Sequence, residues 1–289
     1  MQRLPEGTCN GFVETALGPV HYVRAGAGSP LFLIHGGFGA WAHWHDNIVP
    51  LAQRHTVFAI DMPGFGDSCD AAGGSGIEDL ARSVWEAVAA MRGLLPPELR
   101  GRPVDIAAFS FGTAVAVSMG LLYPDAVQSL LLINPPGLGQ VSAEVRAMQA
   151  RAADTARARG LRSGLDITLR ELMVCDPALA TPAALDLLEY CVRNTRFVSR
   201  SLSRSVSLRP MLSRLRMPVH VLLGEQDPHQ RHELAQRRAW LEEMLGSAQV
   251  SVFADTGHWL QYEQAQRFNA LALDYFGKRC AGQQPERQA

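Results

Sequence analysis

The sequence has little net charge and no closely spaced pair of cysteines. Its 27 basic and 28 acidic side chains leave a formal net charge of −1 over 289 residues. This balance gives no general attraction for nucleic acid or for an anionic membrane surface. The five cysteines form no Cys-x-x-Cys motif, which argues against a zinc ribbon or a redox centre. Their odd, scattered set predicts reduced thiols and therefore a cytoplasmic location.

A secretory signal is also missing, because the first residues contain no apolar run. Residues 106–123 carry no charge and would pass a crude filter for a membrane span. They nevertheless contain two serines, one threonine and two glycines, and a buried strand followed by a buried helix explains them better. We therefore predict no membrane span.

Short apolar runs alternate with helical patterns along most of the chain, and 47% of its residues are hydrophobic. This alternation predicts an α/β fold with a largely parallel sheet that is covered by helices on both faces. A hairpin over residues 12–24, turning at Gly18-Pro19, is expected to precede it. The apolar runs are residues 31–34, 56–60, 104–109, 129–133, 219–223 and 250–253.

The alternation stops between residues 137 and 216. This stretch is rich in alanine and arginine and has no strand pattern. We predict that it forms a helical cap over the carboxyl edge of the sheet, where ligands bind in folds of this kind. Residues 1–136 and 217–289 would then form the core.

Ser110 lies between the apolar run 104–109 and an apolar helical stretch, with small residues two positions to either side, Ala108 and Gly112. A nucleophile on such a sharp strand-to-helix turn needs small neighbours, and the pattern differs from Gly-x-Ser-x-Gly by one methyl group. A serine at an ordinary helix N-cap is the alternative. The partners that a serine nucleophile requires decide between the two.

Those partners are present in the required order. His258 follows the run 250–253 through a short polar turn, and Asp227 follows the run 219–223. A serine hydroxyl needs such a base, and the base needs an acid to orient it. Asp227 could instead be a helix N-cap and His258 a surface residue, but both follow strands of one predicted sheet. We therefore predict a Ser110–His258–Asp227 triad. Asp61, which also ends a predicted strand, is expected to shape its own turn rather than to replace Asp227.

The reaction also needs amide donors for the negative oxygen that develops on the substrate. Phe111, directly after the nucleophile, supplies one N–H group. The glycine-rich loop that begins at His35 is expected to supply the second, from Gly37 or, in reserve, from Phe38.

Together these motifs make the chain resemble the α/β-hydrolase family over nearly its whole length. The resemblance rests on the loop 35–37, the segment 61–68, the turn around Ser110, the segment 224–227 and Gly257-His258. It implies an α/β-hydrolase fold: a mostly parallel central sheet flanked by helices, with a helical cap insertion. It also implies a serine hydrolase that uses no metal or organic cofactor.

The stretch from Gly257 to Glu263 looks like the corresponding part of the meta-cleavage-product hydrolases, which split a carbon–carbon bond. Two features differ: that family usually has Asn where this chain has Phe109, and Gly-Pro-Gly where this chain has residues 37–39. We therefore favour a carboxylesterase-like activity on a small-molecule carbonyl substrate, with carbon–carbon cleavage as the alternative. A receptor that keeps the triad without turnover is a further alternative.

Four side chains are candidates for the substrate pocket: Phe38, Phe109, Trp259 and Arg196. The aromatic residues suit an apolar acyl group, although they could equally be core residues. Arg196 belongs to a spacing of arginines, at 193, 196, 200 and 204, that would share one helix face and attract a carboxylate. A solvated helix face is the alternative for this stripe.

Two histidine-rich segments suggest metal sites only superficially. The histidines at 43 and 45 are two positions apart and would not share a helix face. The segment 229–233 places its glutamate outside the metalloprotease order. We predict no metal site, and a homodimer is compatible with the sequence.

Overall fold

The computed structural model describes residues 3–72, 74, 76–246 and 249–281. Its centre is a sheet of eight strands in the order β1-β2-β4-β3-β5-β6-β7-β8. β2 pairs antiparallel with β1 and with β4, and every other pairing is parallel. The strands are β1 (Cys9–Thr15), β2 (Gly18–Ala25), β3 (Ser29–Ile34), β4 (His55–Ile60), β5 (Val104–Phe109), β6 (Val127–Ile133), β7 (Val219–Gly224) and β8 (Val250–Phe253).

Helices cover both faces of the sheet. Those of the core are α1 (Ile48–Leu51), α2 (Ile77–Arg92), α3 (Pro97–Arg100), α4 (Phe111–Leu122), α10 (Leu234–Leu245), α11 (Leu260–Glu263) and α12 (Ala265–Ala281). Those between β6 and β7 are α5 (Ala143–Arg159), α6 (Leu161–Thr168), α7 (Pro182–Arg193), α8 (Ser199–Ser205) and α9 (Arg209–Leu212). A π-helical turn, Leu169–Met173, follows α6.

Strand β3 shows how the sheet separates two apolar layers. Phe32 and Ile34 pack in the layer that contains α2 and α4, whereas Leu31 and Leu33 pack in the layer that contains α1 and α12. Successive side chains of a strand point to opposite faces, so a continuous apolar run fits a strand that is covered twice. Complete burial of each such side chain contributes about 1.5–3 kcal/mol before entropy is counted.

The mostly parallel sheet with flanking helices confirms the predicted fold class. The predicted hairpin is present, but its turn was placed wrongly. Thr15 pairs with Gly18, so the chain turns at Ala16 and Leu17, and Gly18 already begins β2. Gly18 has a φ of 124°, which a glycine adopts without strain.

The described residues between β6 and β7 form helices and no strand. The boundaries of a separate cap, residues 137–216, stay a prediction. Within the described ranges, no helix combines the length and the apolar character that a bilayer crossing needs.

Candidate active site

Ser110 occupies a strained turn between β5 and α4. Its φ of 48° and ψ of −123° lie outside the regions that L-residues favour, at a cost of about 1–3 kcal/mol. The backbone N–H of Ser110 donates to the carbonyl of Ile133 at 2.8 Å, which anchors the turn to β6. A Cβ at Gly112 would come 2.3 Å from the carbonyl oxygen of His35. The close approach of the segment that ends β3 therefore requires glycine at position 112.

His258 and Asp227 meet Ser110 at the carboxyl edge of the sheet. Nε2 of His258 lies 2.9 Å from Oγ of Ser110, and Nδ1 lies 2.7 Å from Oδ2 of Asp227. Asp227 follows β7 and His258 follows β8, and these strands are neighbours in the sheet. Ser110 is half-buried. The arrangement can carry a proton from a hydroxyl to an imidazole that a carboxylate orients.

His258 and His229 keep the carboxyl group of Asp227 ionised. Burial alone would raise the pKa of Asp227, but the charge and hydrogen bond of His258 and the backbone N–H of His229 outweigh it and hold this pKa below its usual value. The ring of His229 lies 4.6 Å from the ring of His258. Burial, with the charge of His258, lowers the pKa of His229 to about 4. His229 is therefore neutral beside the triad at neutral pH.

The backbone amides of Gly37 and Phe111 are brought together beside Ser110. A Cβ built on Gly37 would lie 3.6 Å from Cβ of Phe111, and one on Gly36 would lie 3.2 Å from Cβ of Ser110. Among the described residues, neither the Gly37 nor the Phe111 N–H donates to an acceptor. The Phe111 N–H begins α4, where the helix dipole favours negative charge.

Two polar side chains hold the loops of the site in place. Asn134, which follows β6, donates to the carbonyl of His258 at 2.7 Å and accepts from the N–H of Gly224 at 2.8 Å. Glu263 accepts from Gly257 N–H at 2.6 Å through one carboxylate oxygen. Its other oxygen accepts from the N–H groups of Cys175 and Asp176, both at 2.7 Å. Glu263 therefore joins the histidine loop to the segment that follows the π-helical turn.

Two of the predicted pocket residues are core residues. Trp259 is fully buried, and its Nε1 donates to the carbonyl of His43 at 3.0 Å. Phe109 is 1% exposed, with its ring against His258 at 5.0 Å. Neither presents surface to a ligand, so the pocket role predicted for them gives way to a packing role. Phe38 is half-buried in a left-handed turn and keeps an accessible ring.

Arg196 bonds to the loop that follows β4, and its predicted role in the substrate pocket stays a prediction. Its guanidinium bonds to the carboxylate of Asp70 at 2.5 Å and to the carbonyls of Gly66, at 3.2 Å, and Ser68. The predicted arginine stripe is also broken, because α7 ends at position 193 and α8 begins at position 199. The side chain at position 204 lies outside the described residues. Arg200 contacts the oxyanion loop, with its guanidinium 5.3 Å from the Phe38 ring centroid.

Asp61 shapes its own turn, as predicted. Its carboxylate accepts from the backbone N–H of Asp67 at 3.1 Å, and its carbonyl accepts from Oγ of Ser68 at 2.6 Å. The carboxylate also accepts from the backbone N–H of Trp41 at 2.6 Å and bonds to Nδ1 of His21 at 2.8 Å.

Two groups of side chains have donor atoms close enough to hold a metal ion. In the first, Asp227, His229 and His258, the triad hydrogen bonds already use both nitrogens of His258. In the second, His21, Asp61 and Asp67, the carboxylate of Asp61 already takes part in three hydrogen bonds. Hydrogen bonding explains both groups.

Sequence reasoning missed four residues that frame the site: His43, Asn134, His229 and Glu263. Asn134 and His229 have a sequence signal, since each lies within a few residues of the end of a predicted strand. His43 and His229 were considered only as metal ligands. Glu263 ends the motif that begins at Gly257, but its partners at 175 and 176 are distant in sequence and have no local signal.

Comparison with known proteins supports the same architecture. A family model described as "Alpha/beta hydrolase family" matches residues 31–271. The 2-hydroxy-6-oxo-6-phenylhexa-2,4-dienoate hydrolase of Comamonas testosteroni is 26% identical and covers 90% of this chain and 92% of its own. The 2-hydroxymuconate semialdehyde hydrolase of a Pseudomonas strain is 29% identical, with 88% of this chain and 89% of its own covered.

Solved structures match over a similar span. Naproxen esterase (carboxylesterase NP) from Bacillus subtilis superposes with a TM-score of 0.76 at 18% identity and covers 94% of this chain and 93% of its own. Carboxylesterase CesB from the same species gives a TM-score of 0.73 at 20% identity, with 94% and 92% covered. At such identities the likeness shows the fold alone.

Proposed function

The chain belongs to the alpha/beta hydrolase family, and from this premise we propose that it is a serine hydrolase with Ser110 as nucleophile, His258 as base and Asp227 as the group that orients the base. The observation that carries the proposal is that His258 forms hydrogen bonds with both other residues. Its Nε2 lies 2.9 Å from Oγ of Ser110, and its Nδ1 lies 2.7 Å from Oδ2 of Asp227. The strained backbone at Ser110 supports it further, since strain of this kind concentrates at functional sites.

In the proposed acylation step, Oγ of Ser110 attacks the substrate carbonyl carbon and its proton moves to Nε2 of His258. The carboxylate of Asp227 stabilises the imidazolium that forms. The carbonyl oxygen becomes an oxyanion and accepts hydrogen bonds from the Gly37 and Phe111 amides, each worth about 3 kcal/mol of barrier. His258 then protonates the leaving group as its bond to carbon breaks.

The second half of the proposed reaction releases the acyl group. Water gives a proton to His258 Nε2 while its oxygen attacks the acyl carbon bound to Ser110. The same two amides stabilise the second oxyanion. Return of the proton to Oγ of Ser110 frees the carboxylic acid and restores the enzyme.

We propose a small, partly apolar ester as the substrate. The half-buried ring of Phe38 offers an apolar contact beside the oxyanion loop. Phe109 precedes the nucleophile, where the carbon–carbon hydrolases usually have an asparagine. Arg196, a candidate for binding a substrate carboxylate, is engaged with Asp70.

Cleavage of a carbon–carbon bond is the second candidate. The support for it is that curated relatives, 26% and 29% identical over most of the chain, carry the names of dienoate and semialdehyde hydrolases. Arg200, near Phe38, is the cation that we would then assign to a carboxylate-bearing dienoate.

Parallel turnover assays distinguish these candidates. Wild type, Ser110→Ala and the control Ser118→Ala, which alters a buried serine within α4, are assayed on p-nitrophenyl acetate, p-nitrophenyl butyrate and 2-hydroxy-6-oxo-6-phenylhexa-2,4-dienoate. We expect both esters to be hydrolysed faster than the dienoate. We expect this activity in wild type and in Ser118→Ala, and none in Ser110→Ala. Faster dienoate turnover would favour the second candidate, binding without turnover would favour a receptor, and an active Ser110→Ala would overturn the serine mechanism.

A cytoplasmic location belongs to the same proposal and rests on the scattered cysteines. A homodimer stays a prediction, for which light scattering of the purified chain is the direct measurement.

A further inference from the structure

His43 is a buried histidine at the meeting point of three parts of the site. It is 2% exposed and lies in the short helical turn Trp41–Trp44 that follows the oxyanion loop. Its ring centroid lies 5.3 Å from that of Phe109, which precedes the nucleophile, and 5.4 Å from that of Trp259, which follows the base. The proposed mechanism gives His43 no role.

Two histidines form hydrogen bonds with the two backbone polar groups of Gly36. The N–H of Gly36 donates to Nδ1 of His43 at 3.3 Å, and Nδ1 of His35 donates to the carbonyl oxygen of Gly36 at 2.7 Å. That carbonyl belongs to the same planar peptide unit as the N–H of Gly37, which must point the opposite way. His35 holds that peptide unit directly, and His43 holds the peptide unit before it. Together they fix φ and ψ of Gly36, and with them the direction of the Gly37 N–H.

The hydrogen bond from Gly36 defines the form of the His43 ring. Because Nδ1 is the acceptor, the proton of the neutral ring is on Nε2. Burial lowers the pKa of His43 well below its usual value, and the charges of His35 and His258 add to this effect. The ring is therefore neutral at neutral pH, and its Nδ1 lone pair stays available to Gly36.

The other nitrogen of His43 finds no acceptor. Nε2 is buried and makes no hydrogen bond within the part of the chain that the structure describes. Such an unsatisfied group is costly, and an apolar side chain of similar size would avoid the cost. A histidine at this position is therefore better explained by what its Nδ1 does than by packing.

We propose that His43 is a positioning residue for the oxyanion hole: through Gly36 it aims the Gly37 N–H at the oxygen that develops charge beside Ser110. This inference rests on the proposed serine mechanism. The oxyanion exists only in the transition state and the intermediate. A misdirected Gly37 N–H should therefore lower kcat and leave KM nearly unchanged.

The test compares two substitutions of His43 on p-nitrophenyl butyrate. His43→Asn keeps an oxygen near the position of Nδ1, whereas His43→Leu has no acceptor. We expect His43→Leu to lower kcat about 10- to 100-fold, with KM within about twofold of wild type, because loss of a whole oxyanion donor costs about 100- to 1,000-fold. His43→Asn should recover most of that kcat. The rate of covalent labelling by an alkyl phosphonate should follow kcat.

Gly39 gives a second test that leaves His43 in place. A Cβ at this position would lie 2.5 Å from Cε1 and Nδ1 of His43 and 2.7 Å from the Gly36 carbonyl oxygen. Gly39→Ala should therefore disturb the same contact and lower kcat in the same way. Gly101→Ala is the matched control, since its Cβ would meet nothing within 4 Å. This pair decides the question if His43→Leu does not fold.

Three results would overturn the inference: wild-type kcat in folded His43→Leu, wild-type kcat in Gly39→Ala, or equal losses in His43→Asn and His43→Leu. Ser110→Ala, assayed alongside, separates the two levels of the argument. An inactive Ser110→Ala with an unaffected His43→Leu would reject only the role of His43. An active Ser110→Ala would reject the serine mechanism itself.

Discussion

Nδ1 of His258 lies 2.7 Å from Oδ2 of Asp227, although the two residues are 31 positions apart and follow different strands. Asp227 is 1% exposed, so this contact is shielded from water. We expect Asp227→Asn to lower kcat by about 10,000-fold, because an amide at this position favours the wrong tautomer of the base. Steady-state kinetics on p-nitrophenyl butyrate measures the loss.

Asp61→Asn is the matched control for Asp227→Asn. Asp61 is equally buried but bonds to His21 and to Trp41, the first residue of the turn that carries His43, rather than to a triad residue. We expect Asp61→Asn to lower the free energy of unfolding by about 3 kcal/mol and to keep far more activity than Asp227→Asn. A fully active Asp227→Asn would contradict its assignment as the orienting acid.

The positions of the three triad residues at strand ends were predictable from the sequence. Ser110, Asp227 and His258 each follow a short apolar run, and parallel strands bring their carboxyl ends to one edge. Small residues around Ser110 added a steric signal that a local pattern can carry. These features depend on only a few neighbouring residues.

Contacts between distant segments were not predictable. Arg196 bonds to Asp70, 126 positions away, and nothing in the arginine spacing points to that partner. The pattern His-Trp-His does not reveal that His43 faces the backbone of Gly36. The aromatic residues Phe109 and Trp259 could be read as pocket or core, and only packing against the neighbouring elements distinguishes the two.

His229 predicts a pH dependence of stability. Its pKa is lowered to about 4 in the folded protein from an ordinary value of 6.5, so between these values the unfolded chain binds more protons. Stability should therefore rise with pH across this window, with His229 contributing up to about 1.4 kcal/mol per pH unit. We expect His229→Phe to flatten the slope in urea denaturation between pH 4 and 6.5. An unchanged slope would contradict the assignment.

Glu263→Gln tests the carboxylate that joins two segments of the site. The amide keeps one oxygen for the N–H groups of Cys175 and Asp176 but places an NH₂ group against Gly257 N–H. We expect a loss of about 1–3 kcal/mol in unfolding free energy, together with lower kcat because Gly257 precedes His258. Thermal melts and ester kinetics measure both, and the exposed Glu243→Gln is the control. Wild-type values for Glu263→Gln would remove its role.

Glu263 also has a raised pKa, chiefly because of its burial. The folded protein therefore holds this proton more tightly than the unfolded chain does. Its contribution to stability is fully present below the ordinary value of 4.5 and is lost as pH rises through the higher folded value. Glu263→Gln should lack this loss in the same denaturation series.

Arg196→Ala tests whether this arginine stabilises the loop after β4 or binds substrate. We expect a loss of about 1 kcal/mol in unfolding free energy, since three contacts to the loop after β4 disappear, and an unchanged kcat. Arg193→Ala is the control, because its exposed i, i+4 pair with Glu189 is worth only about 0.3–0.5 kcal/mol. A raised KM for carboxylate-bearing substrates without loss of stability would restore Arg196 to the pocket.

The nucleophile itself is tested most directly by intact-mass analysis after incubation with a fluorophosphonate. The account predicts one adduct on wild type and on Ser118→Ala, mapped by peptide sequencing to Ser110, and none on Ser110→Ala. Equal labelling of Ser110→Ala, or an adduct mapped to another residue, would contradict it.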